Sequence, residues 1–275
     1  MLEEKAKVKL EEKRNELHIS YGQIRTYLTC PRRYRYQYVM GMEWEEVPAG
    51  LVFGKAIHEA VAGYYRQIRK LGSASHEDML KAYRATWERE SKKGSVSYKK
   101  KETEDSLSNQ AVWLLEVFMK NANPGKIEAV EMPFSVEIVP SDGARPMPYK
   151  LVGVFDLVES DNEGNFIISE LKTASRRQGE DEYDSHLQAT IYSYALKMLG
   201  YTTSEKKTLV RYDVLLKTKK GEFERYYVVK TEKDYQRMFP LIKDILKAIE
   251  QEIYYPRDGW YCSDCPFKGA CQKDV

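Results

Sequence analysis

Leu151-Val152-Gly153-Val154-Phe155-Asp156-Leu157-Val158 and Phe166-Ile167-Ile168-Ser169-Glu170-Leu171-Lys172 are two β-type runs, joined through the turn-forming residues Asp161-Asn162-Glu163-Gly164. Each run carries an acid inside a pattern apolar enough to be buried on both faces, where a carboxylate is costly unless it is paired or holds a metal. Side chains alternate along a strand, so Glu170 and Lys172 share one side, and the short turn brings the Asp156 strand alongside. Two acids and a lysine are expected to converge. The E-x-K spacing alone carries little weight, since Glu3/Lys5, Glu11/Lys13, Glu90/Lys92 and Glu205/Lys207 share it in a chain that is 31% charged. Only Glu170/Lys172 interrupts an apolar strand and follows a second strand with its own embedded acid. The competing reading is a structural Glu–Lys pair on a sheet edge.

Upstream of these strands the chain reads as helical. Residues 1–16 alternate in charge sign and suit a solvated helical arm. Ser20 is placed to cap a helix through Leu28, and Pro31 to start another. Apolar residues recur at helical spacing from Gly50 to Leu71, with Gly72 as a stop, and further amphipathic helices are expected near 76–92 and 104–122. Beyond Pro124-Gly125 the pattern turns to strands at 127–139, 149–159 and 165–173, with a turn at Ser141-Asp142-Gly143. A helix near 185–199, strands near 208–217 and 222–230, and a last helix near 231–252 complete the order, which suggests an α/β core with a helical N-terminal extension.

Composition narrows the class further. A chain of 275 residues, 42% hydrophobic and rich in tyrosine, can bury a real core and has one or two domains. Lys+Arg exceed Asp+Glu by only two charges, which excludes a strongly cationic nucleic-acid coat, so any polyanionic partner must be met by local patches. Apolar runs fall short of the roughly 18 residues of a membrane helix. The charged N-terminus is unlike a signal peptide, and the expectation is a cytoplasmic protein with no membrane partner. The segment Ala49 to Ala56 resembles a phosphate-binding loop but lacks its first glycine and its hydroxyl residue, so no ATP is expected to bind.

Two further elements carry candidate chemistry. His58 sits on the apolar helix Phe53-Gly54-Lys55-Ala56-Ile57-His58, and Gln188 and Tyr192 share one face of the helix after Lys172. Singly, each is as ordinary as a core histidine or a helix pair. As an ordered set, Gly54…His58, Gly153…Asp156, Glu170-Leu171-Lys172 and Gln188…Tyr192 resemble the PD-(D/E)xK nuclease superfamily in its RecB/AddB-like branch, over about Ser20 to Cys271. The resemblance implies a restriction-endonuclease-like mixed sheet flanked by helices. Its divisions are a charged arm 1–18, a helical region 19–125 with Cys30 and His58, a nuclease core 126–252 and a C-terminal segment 253–275. It also implies Mg²⁺ or Mn²⁺ held by His58, Asp156, Glu170 and the Leu171 carbonyl, with Lys172 orienting or deprotonating the attacking water. Gln188 and Tyr192 would contact the DNA backbone or brace the site. The chemistry agrees: hard cations take oxygen ligands, an imidazole inclines a site toward Mn²⁺, and such an ion offsets charge building on a phosphodiester.

Cys262-Ser263-Asp264-Cys265, Cys271 and the distant Cys30 are four thiols suited to zinc or to an iron–sulfur cluster; unrelated free cysteines are the alternative. The resemblance favours a structural 4Fe-4S cluster over zinc, tying the C-terminal tail to the N-terminal region. Arg32, Arg33 and Arg35 interleave with Tyr34, Tyr36 and Tyr38, a pattern that serves either phosphate gripping with base stacking or a helical core. Arg176 and Arg177, just past Lys172, are placed either to touch substrate or to lie in an exposed loop. The function implied is a metal-dependent exonuclease on single-stranded DNA or DNA ends, in repair, recombination, or phage or CRISPR DNA processing. It would work alone, with a separate helicase, or beside a CRISPR integrase. The rival readings are a CRISPR adaptation exonuclease trimming spacer precursors and a catalytically silent DNA-binding scaffold subunit.

Overall fold

A computed structural model of the chain describes residues 17–140, 144–201 and 208–274. The expected charged arm at 1–16 and the turn at 141–143 lie outside them. A short strand β1 (His18–Ser20) leads into α1 (Tyr21–Thr29), where Ser20 and Gln23 form a reciprocal capping box. Pro31 opens α2 (Pro31–Tyr34), which runs on as a π-helical turn at Arg35–Val39. After β2 (Val47–Pro48) come three long helices: α3 (Ala49–Leu71), α4 (His76–Ser91) and, beyond β3 (Val96–Ser97), α5 (Glu104–Asn121). Gly72 ends α3 in the left-handed region at φ +73°, a conformation that costs glycine nothing.

The sheet follows in β4 (Lys126–Glu137), β5 (Lys150–Ser160) and β6 (Phe166–Ala174). The chain continues through α6 (Glu180–Asp184), α7 (Leu187–Met198), β7 (Thr208–Leu216), β8 (Glu222–Val229) and α8 (Glu232–Glu250), and ends in a one-turn helix at Trp260–Cys262 and α9 (Lys268–Lys273). β4, β5 and β6 form the expected antiparallel meander. β6 and β7 are parallel, connected through α7, and β8 returns antiparallel to β7, so the sheet is mixed. β1 joins it parallel to β5 at Lys150–Val152. A three-residue strand is too short to leave a periodic signature, which is why it reads as part of the helical region in the sequence.

Helices cover both faces. Residues of α3, α4 and α5 share one apolar core with Val130, Leu157, Leu171 and Leu215 of the sheet. On the other face, α1, α7 and α8 bury Phe134, Phe155 and Ile168. The chain is thus an α/β fold with a mixed sheet between two helical layers.

One detail of strand pairing positions everything that follows. β5 pairs with β6 only from Ser160/Phe166 to Leu157/Ser169, and its first residues pair with β1 instead. Between these two ladders, at Gly153 to Asp156, the edge of β5 that faces β6 has no strand partner among the described residues. The strands splay apart there, beneath α3.

Candidate active site

Backbone groups at the splay need partners, and side chains supply them. The N–H of Leu171 donates to Oδ2 of Asp156 at 3.0 Å. The carbonyl of Val154 accepts from the hydroxyl of Tyr192 at 2.9 Å. Tyr192 stands edge-on to both Phe134 and Phe155, which stack on each other at 4.6 Å. Gly153 makes this stacking possible: a Cβ there would lie 2.5 Å from the ring of Phe134. Gly54 has no such duty, since its Cβ would meet only Thr173 Oγ1 at 3.8 Å.

Lys172 Nζ donates to Glu170 Oε1 at 2.8 Å and to Gln188 Oε1 at 2.7 Å, and Gln188 Nε2 donates to Glu170 Oε1 at 2.8 Å and to Tyr192 at 3.0 Å. Gln188 is buried, so Gln188 and Tyr192 face inward as a brace. Across the cleft, α3 presents His58, whose Nδ1 lies 3.3 Å from Asp156 Oδ2. Burial works against the charged imidazole, yet the neighbouring Asp156 outweighs it and pushes His58 up to about 9. Asp156 is held below the ordinary aspartate value: burial opposes this, and His58 with the Leu171 N–H overcomes it. Glu170 moves the opposite way, raised by burial and by the charge of Asp156. Two carboxyl groups with divergent proton affinities in one site are a common basis for acid–base work.

A cleft of about 710 Å³ opens over these groups, lined by His58, Asp156, Leu171 and Lys172 together with Arg25 and Glu131. Glu131 had no distinguishing signal in the sequence. It follows Val130, which pairs with Leu157, and precedes Met132, which pairs with Phe155, so β4 sets it opposite Asp156. Its backbone is left-handed at φ +52°, unusual inside a strand. Burial, and then the charge of Asp156, push its carboxyl up to about 7.

The donor types, two carboxylates, an imidazole and a backbone carbonyl, suit a hard divalent cation; His58, Asp156 and Leu171 line the cleft, and Glu170 is buried against Lys172 at its wall. Among the described residues, Oε2 of Glu170 is buried without a hydrogen-bond partner, which leaves a carboxylate oxygen open to an ion or a proton. Among the described residues, no three His, Cys, Asp or Glu side chains are gathered around a common point as a bound ion requires. Asp156 is turned to His58, and Glu170 to Lys172 and Gln188.

The remaining candidates are distributed as follows. Tyr34 and Tyr36 are core: Tyr34 packs on Tyr27 and Tyr254, and Tyr36 packs on Phe267 and donates to Asp274 at 2.7 Å. Both rings are spent on packing. Arg177 pairs with Glu222 at 2.7 Å and with Glu224, both on β8, and does not line the cleft. All four cysteines are half-buried and form no disulfide. The C-terminal segment returns to the N-terminal helices: Tyr27 donates to the Ile253 carbonyl at 2.7 Å, and the Arg32 N–H to that of Tyr255 at 3.2 Å. Burial raises the Cys265 thiol, and Cys30 and Cys262 stand near enough to add to the effect.

The model of the PD-(D/E)XK nuclease superfamily matches residues 18–272. The chain belongs to that superfamily, and its fold is that of a nuclease. Among solved structures, a candidate exonuclease from Eubacterium rectale is similar at 13% identity, over 96% of this chain and 90% of that one, with a TM-score of 0.53. At that identity the likeness concerns the fold alone. The protein SSO0001 aligns over 89% of this chain and 95% of that one at 17% identity, but its TM-score of 0.33 carries no argument. No curated protein matches.

Proposed function

We propose that the protein is a divalent-metal-dependent deoxyribonuclease of the RecB/AddB-like branch, acting as an exonuclease on single strands or DNA ends in repair, recombination or the processing of phage or CRISPR DNA. The observation that carries the reading is that Lys172 lines one open cleft with the His58–Asp156 pair and is held there at hydrogen-bond distance by the buried Glu170 and Gln188. His58, Asp156, Glu170 and the Leu171 carbonyl would hold Mg²⁺ or Mn²⁺. When bound, the cation supplies Lewis acidity at the phosphate. Lys172 orients the attacking water and shares its proton with Glu170, and Gln188 and Tyr192 fix both groups in place. A silent scaffold has no use for so complete a set.

The four cysteines are read as ligands of a 4Fe-4S cluster, with zinc second, in a C-terminal segment 253–275 that fastens the helical region 19–125 to the core 126–252. The docking of that segment around Cys30 supports this reading. Anaerobic purification should give a brown protein with iron and sulfide; a colourless zinc-loaded one overturns the assignment.

The decisive experiment uses 5′- and 3′-labelled linear strands and a closed circle, with Mg²⁺ or Mn²⁺. Linear DNA should be degraded from an end and the circle spared, and Asp156→Ala and Lys172→Ala should each remove the activity while circular dichroism stays unchanged. Activity that survives either substitution rejects the site, and a full chain inert on every DNA rejects the function.

A further inference from the structure

A second concavity, of about 320 Å³, lies where α1, the start of α7 and the C-terminal segment meet. Tyr21, Arg25, Leu187, Arg257, Trp260 and Tyr261 line it. Arg25 also lines the active-site cleft, and Leu187 directly precedes Gln188, so the two hollows adjoin.

Its chemistry is specific. The Trp260 side chain is 86% exposed, the most open large apolar group among the described residues, with the Tyr261 ring edge-on to it at 5.8 Å. Arg257 donates to the Leu28 carbonyl, which anchors its guanidinium at the rim. Among the described residues, neither Arg25 nor Arg257 has a carboxylate within ion-pair range, so both keep their charge for an external anion. An open indole in one concavity with two such guanidinium groups matches a nucleotide, with its flat base and its anionic phosphate.

We propose that this concavity is a stacking subsite for one unpaired nucleotide of the DNA strand whose neighbouring phosphate lies in the active-site cleft. The base stacks on Trp260, and Arg25 and Arg257 hold the flanking phosphates. Bases inside a duplex have both faces covered, so the subsite selects single strands and frayed ends. The inference rests on the nuclease reading above and narrows its substrate.

The test uses the full chain carrying Asp156→Ala, so that binding is read without cleavage. Fluorescence anisotropy compares a short single-stranded oligodeoxythymidylate with a blunt hairpin duplex. Adding Trp260→Ala should weaken single-strand binding about tenfold and leave duplex binding and the melting temperature unchanged. Trp260→Phe should restore most of the loss. Arg25→Ala and Arg257→Ala should each lower the slope of log affinity against log salt by about 0.7. Unaltered single-strand binding by Trp260→Ala, or an equal loss on the duplex, overturns the subsite while leaving the nuclease reading intact. A parent protein that binds neither DNA overturns both.

Discussion

The backbone N–H of Leu171 is bound by the carboxylate of Asp156, at 3.0 Å, at the point where the ladder between their strands stops. Asp156 thus completes the sheet and lines the cleft at once. The same economy holds for Tyr192, whose hydroxyl satisfies the Val154 carbonyl exposed by the splay. A sheet that opened here without these side chains would strand polar backbone groups in a buried place, a cost of about 1–3 kcal/mol each.

Tyr192→Phe keeps the ring edge-on to Phe134 and Phe155 but leaves the Val154 carbonyl and one Gln188 donor unpaired. Unfolding in urea should show a loss of about 1–3 kcal/mol. The cleavage rate should fall as well, since Gln188 loses the partner that orients it toward Lys172. A neutral result on both counts would mean that water takes over the role.

The two motif glycines should separate cleanly. Gly153→Ala forces Phe134 off its stack on Phe155 and should cost about 1–3 kcal/mol, with Phe134→Leu recovering part of it in a double-mutant cycle. Gly54→Ala, in the open interior of a helix, should stabilise by up to about 1 kcal/mol. Equal effects from the two would refute the packing argument.

Glu131 carries a left-handed backbone that glycine adopts freely. Glu131→Gly should therefore be more stable than Glu131→Ala by about 1 kcal/mol in thermal unfolding, since alanine keeps the backbone penalty. The reverse order would show that the strand relaxes when the carboxyl is removed.

Glu90 on α4 is buried and ringed by Lys93 at 2.7 Å, Lys55 of α3 at 3.0 Å and Arg89 at 3.3 Å. The hydrogen bond from Lys93 leads in drawing its carboxyl down to about 2, burial opposes it, and Lys55 adds to the lowering. A depressed carboxyl stabilises the fold above the unfolded-state value and loses that contribution as pH falls through the folded one. Glu90→Gln should destabilise by about 1–2 kcal/mol at neutral pH, a modest figure because the cations are half-solvated. The gap to wild type should close between pH 4.5 and about 2 in acid titrations of the melting temperature. A gap that does not depend on pH would mean that Glu90 acts by packing alone.

Much of this was readable along the chain because it is local. The Ser20 cap, the Pro31 start, the Gly72 stop and the strand alternation around Asp156 and Glu170 each depend on neighbours a few residues away. The Glu170–Lys172 and Gln188–Tyr192 pairs follow from periods of two and four, whereas the hydrogen bonds that join the strand pair to the helix pair are tertiary. Tyr34 and Tyr36 were ambiguous for the opposite reason, since a tyrosine that fills a core and one that stacks on a base look alike until the surrounding elements are placed.

The sequence by itself determined the order of the long helices and strands and most of the residue types of the site, because turn chemistry and side-chain periodicity are written within single segments. The tertiary structure alone decided that β5 splays from β6 at Asp156, that Glu131 stands opposite it, that Arg177 turns to β8, and that Trp260 comes to rest beside Arg25 from the other end of the chain. Those relationships join residues far apart in sequence, and they are fixed by which apolar faces bury one another, a property of the whole assembled core.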